Sequence, residues 1–372
     1  MMRRLVLVAL VAGAWACGSK ESGSPTNPTP TNQTLGAPVA VGPVNDQQMS
    51  TLRPVFTVQN GTSDQTGTRT YEFQISDRSD FSTSSVSAIR GFHAVVGQAG
   101  VAEGTGGRTS FTPAVDLQPT TRMYWRARFS QGGSLSAWSA AVPFRTKLVG
   151  FVRDGEIYDP LIHEETVGER VGSTTFVPGV GLRINTQASY VRYALPRTIS
   201  SGEFSADVRG LAPNGPDHKL KIFSMSDSTG DLYNSRYQVS TMYRGVEGNP
   251  PNCIAFKAVF GGGTPIEPEF GLRLAATHFL NPETTYHWKA TWGSEFRLSV
   301  RSGGLNGTEI YNLGFGSNGR SYDPPQHYAF LGSTNGMSTL EPGSFPGAIY
   351  SNVWIGNRPR PESLGSALLP LQ

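Results

Sequence analysis

Apolar and polar residues alternate in short runs along most of this chain, and no segment of useful length repeats with a helical period. The clearest run is Tyr286-His287-Trp288-Lys289-Ala290-Thr291-Trp292, and after Gly293-Ser294 the alternation continues through Phe296, Leu298 and Val300. Because successive side chains of a strand point to opposite faces, this pattern predicts strands with one face in a core and one in water. The chain is therefore expected to be all-β.

Turn-forming residues separate these runs. The 372 residues include 44 glycines and 26 prolines, and only 16% are charged, which is typical of strands joined by tight turns. Gly293-Ser294 is predicted to be a hairpin turn, in which glycine supplies the positive φ that the turn needs. Trp288 and Trp292 are assigned to the core. The chain length suggests two or three domains.

A first folded segment is predicted from residue 37 to residue 147. Its predicted strands are residues 54–59, 70–77, 121–130 and 137–146. In Trp125-Arg126-Ala127-Arg128-Phe129 the alternation puts the apolar residues inward and the two arginines on the solvent side, where we expect them to be solvated. This amount of strand fits a two-sheet sandwich of immunoglobulin size, about 100 residues. Residues 91–109 are predicted to form a loop or an extra hairpin.

The end of this segment carries a family resemblance. Met123-Tyr124-Trp125-Arg126-Ala127-Arg128, the turn Gly132-Gly133, Ser136-Ala137-Trp138-Ser139 and Phe144-Arg145-Thr146 resemble the last two strands of a bacterial fibronectin type III domain. The resemblance is best in the second half of the segment, and Phe56 stands where the family often has a tryptophan. It implies a spacer or interaction module.

A second, larger segment is predicted from residue 149 to residue 361. Its strand-like runs are residues 181–185, 190–195, 203–210, 219–225, 237–243, 252–260, 285–292, 295–301, 309–315, 327–332 and 348–356. With no helix between them, these runs favour antiparallel sheets packed face to face.

Several of these runs resemble the concanavalin A-like jelly roll of lectins, laminin-G-type domains and glycan-active enzymes. They are Gly181-Leu182-Arg183-Ile184 followed by Ser189-Tyr190-Val191-Arg192-Tyr193, Gly202 to Gly210, the Tyr286 to Val300 hairpin, and Ile349-Tyr350-Ser351-Asn352-Val353-Trp354-Ile355-Gly356. The resemblance implies a jelly-roll sandwich that follows the immunoglobulin-like one.

The first 17 residues have the form of a bacterial lipoprotein signal. Two arginines precede an apolar stretch that is too short to span a bilayer, which needs about 20 residues, and the stretch ends in Ala14-Trp15-Ala16-Cys17. The resemblance implies that Cys17 becomes the lipidated first residue. The alternative is a secretory signal cut near Ala16, which would make the protein secreted. Residues 18–36 are predicted to form a disordered Ser/Thr/Pro tether, because they lack large apolar residues.

The charge and the cysteine content limit which partners and which disulfides we expect. The chain has 31 basic and 28 acidic residues, two of the basic ones lie in the signal, and no basic run occurs, so we expect no nucleic-acid partner. Cys253 is the second of two cysteines, which leaves no intrachain disulfide if Cys17 carries lipid. We expect Cys253 to be a small buried residue.

The segment lacks the acidic run that jelly-roll glycoside hydrolases present on one strand. Glu267-Pro268-Glu269 comes closest, but its proline and the preceding glycines indicate a solvated loop. Polysaccharide lyases use arginine, histidine or glutamine, and tyrosine. The candidates for that chemistry are Arg236, Tyr237, Gln238, Tyr243, His287 and Lys289.

A calcium site is a further candidate. Asp227-Ser228-Thr229-Gly230-Asp231 offers two carboxylates and two hydroxyls around a glycine turn, and Ca²⁺ prefers oxygen ligands. The alternative is a hairpin loop whose side chains cap their own backbone.

The leading hypothesis is a non-catalytic protein of the bacterial envelope or cell surface, anchored in a membrane by lipid, that binds glycan or a surface protein through the second segment. Aromatic faces and planar polar groups bind sugars. The candidate contacts are Tyr233, Arg236, Tyr237, Tyr243 and Trp354. Two alternatives stay open, a polysaccharide-degrading enzyme that uses the same face and a structural envelope protein without ligand. Residues 362–372 are predicted to be a frayed tail.

Overall fold

The computed structural model describes residues 34–82, 96–153, 155–212, 219–245, 253–261, 280–334, 343–361 and 364. In this part of the chain the fold is all-β, as predicted, and the strands form two consecutive sandwiches. None of the helical segments within these ranges is long and apolar enough to cross a membrane.

The strands of the first sandwich are β1 (Val39–Gly42), β2 (Gln47–Gln48), β3 (Phe56–Gln59), β4 (Arg69–Ser76), β5 (Val96–Ala102), β6 (Arg108–Phe111), β7 (Arg122–Gln131), β8 (Ser134–Leu135) and β9 (Val142–Arg145). Those of the second are β10 (Phe151–Arg153), β11 (Glu156–Asp159), β12 (Glu169–Val171), β13 (Thr174–Val177), β14 (Gly181–Ile184), β15 (Tyr190–Ala194), β16 (Gly202–Arg209), β17 (Leu220–Ser226), β18 (Gln238–Arg244), β19 (Cys253–Val259), β20 (Tyr286–Trp292), β21 (Glu295–Ser302), β22 (Thr308–Gly316), β23 (Tyr328–Leu331) and β24 (Ile349–Gly356).

The first sandwich packs a sheet of order β1-β3-β6 against one of order β2-β9-β7-β4-β5, with β8 paired to β7. Phe56 of one sheet lies 5.2 Å from Trp125 of the other, measured between ring centroids. Trp125, Ala127 and Phe129 are fully buried, which confirms the alternation predicted for β7. This aromatic core holds the two sheets together.

The first sandwich differs from the prediction at its start and in the 91–109 stretch. Leu35 pairs with Ser63 and packs against the core, so the folded unit begins before residue 37. Because its apolar side chain packs against the core, Leu35 belongs to the sandwich rather than to the tether. In the 91–109 stretch, β5 pairs with β4 whereas β6 pairs with β3 in the opposite sheet. The two strands therefore do not form a hairpin with each other.

The arginines of β7 are not simply solvated. The guanidinium carbons of Arg126 and Arg128 lie 4.5 and 4.3 Å from the ring centroid of Trp138, and Arg126 also lies 4.1 Å from that of Phe81. Gln74 and Glu72 of β4 accept hydrogen bonds from these arginines. The stack ties the segment after β8 to the sheet.

Replacing Trp138 with alanine is expected to lower the free energy of unfolding of the first sandwich by about 1–2 kcal/mol, because two cation–π contacts of about 0.5–1 kcal/mol each are lost. Urea denaturation checks this. Trp138→Phe, which keeps an aromatic face, should lose less than Trp138→Ala. Equal stability of the alanine variant and the parent would show that the stack contributes nothing.

The second sandwich packs two sheets around one core. The large sheet has the order β10-β11-β24-β16-β20-β21-β22, with β13 and β14 joined to it through β24. The small sheet has the order β12-β15-β23-β17-β18-β19. Phe204 of the large sheet and Phe223 of the small sheet meet at 4.3 Å between ring centroids. Each strand predicted between residues 181 and 356 is present, with every boundary within one residue.

The predicted core hairpin is confirmed. Trp288 pairs with Val300 and Ala290 with Leu298 across β20 and β21, and all four side chains are fully buried. Gly293 in the turn has φ of +150°, a conformation that favours glycine. The assignment of Trp288 and Trp292 to the core is likewise confirmed.

The start and end of the second sandwich were not predicted. The runs β10 to β13 are short, and all four residues of β11 are buried, so no alternation marks that strand. Leu364 lies in the segment predicted to be frayed, yet it is buried against Tyr158 and Trp354 and bridges to Thr121. The tail prediction is wrong at this residue, because an apolar side chain there covers two aromatic rings.

Candidate functional site

The outer face of the small sheet, turned away from the core, carries a row of side chains on adjacent strands. Arg192, Phe330, Ser224, Ser240 and Lys257 are consecutive cross-strand partners from β15 to β19. Their neighbours along each strand, such as Val191 and Leu331, point into the core. Alternation therefore places one continuous row on this face.

One end of the row combines aromatic rings with an ion pair. Tyr190 and Tyr328 are half-buried, and their ring centroids lie 5.8 and 6.5 Å from that of the buried Phe330. Arg192 stands beside Phe330 and pairs with the exposed Glu169 of β12. These five residues are called the tyrosine rim. It offers partly accessible ring faces next to planar hydrogen-bonding groups.

The centre of the row is buried and its hydroxyls are engaged. Ser224 Oγ donates to the carbonyl of Gly332 at 2.8 Å, and Ser240 Oγ accepts from Gln238 Nε2 at 3.0 Å. Ser224 and Ser240 are fully buried. Hydroxyls committed to internal hydrogen bonds support the sheet, so the accessible chemistry of this face lies at the tyrosine rim.

The structure corrects two of the predicted glycan contacts. Tyr243 is fully buried on the inner face of β18, where its ring meets Phe345 at 5.1 Å. Trp354 is fully buried against Tyr158 and Leu364. Neither side chain offers a surface to a sugar, because Tyr243 packs inside the core and Trp354 is covered by Leu364 and Tyr158.

The other predicted contacts lie around the start of β18. Arg236 is exposed and donates to the carbonyl of Gly261. Tyr237 is half-buried, with its ring edge-on to Tyr322 at 5.9 Å. Tyr233 lies in a short 3-10 helix, Leu232–Asn234, and its side chain is outside the described part of the structure. Arg236 and Tyr237 remain predictions as glycan contacts.

The six candidates for lyase chemistry do not converge. Arg236, Tyr237, Gln238 and Tyr243 belong to β18 and the turn before it in the small sheet. His287 and Lys289 project from the outer face of the large sheet, on the opposite side of the sandwich. A proton-transfer site needs these groups within hydrogen-bond reach of one substrate. Glu267, Glu269 and Cys17 lie outside the described residues.

The predicted calcium loop contains no ligand cluster. Asp227 is half-buried, with one carboxylate oxygen lacking a hydrogen bond, and Asp231 is exposed. Among the described residues, no three His, Cys, Asp or Glu side chains are grouped to hold a metal ion. The hydroxyl of Ser228 accepts a hydrogen bond from the backbone N–H of Gly230, so this side chain caps the backbone of its own loop. Calcium binding stays a prediction.

A polar network that the sequence did not reveal lies on the outer face of the large sheet. Asp207 contacts His287 Nδ1 with one oxygen at 2.8 Å and accepts from Asn352 Nδ2 with the other at 3.0 Å. Asn352 Oδ1 accepts from Tyr158 at 3.1 Å and from Arg360 at 2.7 Å. Burial raises the pKa of Tyr158 well above its usual value, so its hydroxyl remains a donor. The alternation along β20 predicts that His287 lies on the face opposite Trp288, but no local pattern indicates its contact with Asp207.

Comparison with known proteins gives distant similarities. No family model and no curated protein matches the chain. The chain is similar to a solved structure of a mutant HCR/D at 7% identity and a TM-score of 0.35, over 59% of this chain and 50% of that one. It is also similar to the enzymatically active domain of tailspike protein 2 of bacteriophage CBA120, at 13% identity and a TM-score of 0.33, over 57% of this chain and 31% of that one. The aligned regions span half or less of those two proteins, and we draw no functional argument from them.

Proposed function

We propose that this protein is an exported, lipid-anchored glycan-binding protein whose binding surface is the tyrosine rim of the second sandwich. The N-terminal segment ending at Cys17 supports export and lipidation, and the first sandwich then acts as a spacer between tether and binding domain. The observation that carries the proposal is the rim itself, two half-buried tyrosines beside an arginine–glutamate pair on one face.

The chemistry of the rim suits a sugar. The C–H faces of a pyranose ring pack on aromatic rings, and its hydroxyls need planar donors and acceptors at the edge of the contact. Tyr190 and Tyr328 supply the rings, while Arg192 and Glu169 supply donors and acceptors held in place by their ion pair. Because Phe330 is buried between the two tyrosines, it fixes their spacing rather than touching the ligand.

The non-convergence of the acid–base candidates supports binding over catalysis. The serine hydroxyls at the centre of the row, next to the rim, are engaged, and the histidine and lysine of the lyase hypothesis project from the other sheet. We therefore assign the rim to recognition.

The test uses residues 18–372, expressed without lipid, on an array of bacterial and plant glycans. We expect Tyr190→Ala and Tyr328→Ala each to weaken binding to every positive glycan at least fivefold, since the loss of an aromatic stacking contact costs about 1–3 kcal/mol. Tyr124→Ala, which removes a half-buried tyrosine from the first sandwich, is the matched control.

Equal binding by the rim variants and the control would overturn the proposal, and so would an array without any positive glycan. Release of unsaturated or reducing-end sugar from a bound glycan would replace recognition with catalysis.

A further inference from the structure

The two sandwiches meet at two adjacent threonines that precede β7. Thr120 contacts Val149, which lies in the linker between β9 and β10. Thr121 bridges to Leu364 in the C-terminal segment. Both threonines are fully buried. The second sandwich is therefore connected to the first at both of its ends, through the chain that enters it and through the chain that leaves it.

The linker contact is built on the Thr120 hydroxyl. Thr120 Oγ1 donates to the carbonyl of Val149 at 2.7 Å and accepts from the N–H of Val149 at 2.9 Å. The N–H of Thr120 donates to the carbonyl of Lys147 at 2.8 Å. Thr120 has a φ of +50°, which a β-branched residue adopts only where surrounding contacts enforce it. The linker supplies such contacts, so this residue marks a fixed junction.

The linker also lies directly on the second sandwich. A Cβ added to Gly150 would lie 2.8 Å from the carbonyl oxygen of Tyr158 and 2.9 Å from Cγ1 of Val167, so this close approach needs a glycine. β10 begins at the next residue, Phe151, whose ring centroid lies 6.0 Å from that of Tyr158. Both sandwiches therefore hold the linker over its short length.

Leu364 contacts both sandwiches at once. Its side chain is 1% exposed and packs with Tyr158 and Trp354 of the second sandwich, and the half-buried Phe151 packs against this cluster. Its backbone pairs with Thr121 of the first sandwich. The cluster is separate from the main cores of both sandwiches. It therefore serves the junction, and the apolar surface that it buries favours the closed arrangement.

The segment that carries Leu364 is anchored before it reaches the first sandwich. Arg358 pairs with the buried Glu156, and Arg360 donates to Asn352 Oδ1 at 2.7 Å. Both partners belong to strands of the large sheet. Because the path from β24 towards Leu364 is already fixed, closing the contact with the first sandwich costs less conformational entropy.

We propose that Arg358, Arg360 and Leu364 form a clamp that joins the two sandwiches into one rigid arm, and that Leu364 closes it. Relative motion is the ordinary behaviour of two domains joined by one linker, and a second attachment across the same junction removes that motion. The clamp and the linker act in parallel on adjacent residues of the first sandwich. The clamp therefore sets the direction in which the tyrosine rim faces relative to the first sandwich. It requires neither a glycan nor a lipid.

The first experiment measures how residues 18–372 tumble in solution, by NMR relaxation of the backbone amides. We expect a single rotational correlation time for both sandwiches of the parent. Leu364→Asp should give two shorter times, one for each sandwich, because a charge in the apolar cluster opens the clamp. Leu135→Asp, which changes a 55% exposed leucine of β8, is the matched control and should behave like the parent. Separate times in the parent, or a single unchanged time in Leu364→Asp, would overturn the proposal.

The second experiment tests the contact in the closed state and needs no loss of packing. Partners across an antiparallel bridge have Cα atoms about 4.5–5.5 Å apart, within the reach of a disulfide. Oxidised glutathione should therefore join the thiols of Thr121→Cys and Leu364→Cys in one chain, while the glutathione is reduced. Leu135→Cys combined with Leu364→Cys should stay unlinked. Failure of the first pair to link, or equal linking of both pairs, contradicts the clamp.

Glycan binding separates this proposal from the previous one. The tyrosine rim lies on the small sheet, whereas the clamp closes on the large sheet. Leu364→Asp should therefore bind every positive glycan of the array like the parent, and Tyr190→Ala should keep a single correlation time. A failure of the tyrosine rim and a failure of the clamp are then distinguishable.

Discussion

Replacing Arg358 with methionine is expected to lower the free energy of unfolding of the second sandwich by about 3–5 kcal/mol, because the substitution removes the guanidinium that contacts both oxygens of a buried carboxylate. Glu156 of β11 is fully buried, and Arg358, just after β24, contacts both of its oxygens, at 2.6 Å through Nε and at 3.3 Å through Nη2. Methionine keeps the apolar stem of the arginine and removes only the charged fork. Urea denaturation followed by tryptophan fluorescence measures the change.

Two further variants separate the buried charge from a general effect of losing an arginine. Adding Glu156→Gln to Arg358→Met should restore at least about 2 kcal/mol, since the neutral amide costs less to bury. Arg297→Met breaks the ion pair with Glu295, in which 44% of the arginine side chain and 54% of the glutamate side chain are exposed. This substitution should lower the free energy of unfolding by less than about 1 kcal/mol. If Arg358→Met cost no more than Arg297→Met, the buried pair would not support the fold.

The alternation of apolar and polar residues was enough to locate the strands that have one dry and one wet face. The pairing of β20 with β21 is the clearest example, since its turn and its buried side are both readable locally. Alternation does not predict β11, because Glu156, Tyr158 and Asp159 are buried although they are polar. Their partners, such as Arg358 and Asn352, lie about 200 residues away in the sequence, so no local pattern can show that these groups are satisfied.

The candidate site was only partly predictable for a related reason. Alternation assigns a side chain to a face of a sheet but does not say what covers that face. Trp354 is on the outer side of its sheet, as an exposed aromatic would be, and it is nevertheless fully buried under Leu364. The sequence allows Tyr190 and Arg192 to be assigned to the outward side of one strand, but their approach to Phe330 depends on the pairing of β15 with β23.

Acidification from pH 6.5 to pH 4 is expected to remove about 3 kcal/mol of stability through His327 alone. Burial lowers the pKa of His327 to about 4 from an ordinary value of 6.5, because the ring lies in the core beside Trp292 and Tyr322. Its contribution is fully present above pH 6.5 and is lost as the pH falls through 4, since the unfolded chain takes up a proton that the folded chain resists. One pKa unit corresponds to about 1.4 kcal/mol.

Asp159 acts with the opposite sign over nearly the same range. Burial raises the pKa of its carboxyl to about 6 from 3.8, although Thr166 and Tyr193 donate hydrogen bonds to it. Its contribution is present below pH 3.8 and is lost as the pH rises through 6, so acidification stabilises the fold through this group. Between about pH 6 and pH 4 the two groups should nearly cancel in the parent protein.

Single variants separate the contributions of His327 and Asp159 to stability. On going from pH 6.5 to pH 4, the free energy of unfolding of His327→Asn should rise by about 2–3 kcal/mol relative to the parent. The reason is that asparagine takes up no proton in the unfolded chain. Asp159→Asn should lose about as much over the same range, and the double variant should follow the parent. Urea denaturation at half-unit pH steps gives these differences, in which the contributions of the other carboxylates drop out.

Parallel pH profiles for all four proteins would mean that neither group titrates differently in the folded and unfolded chains. Opposite slopes in the two single variants would show that both buried groups keep their unusual protonation states only because the second sandwich is closed around them.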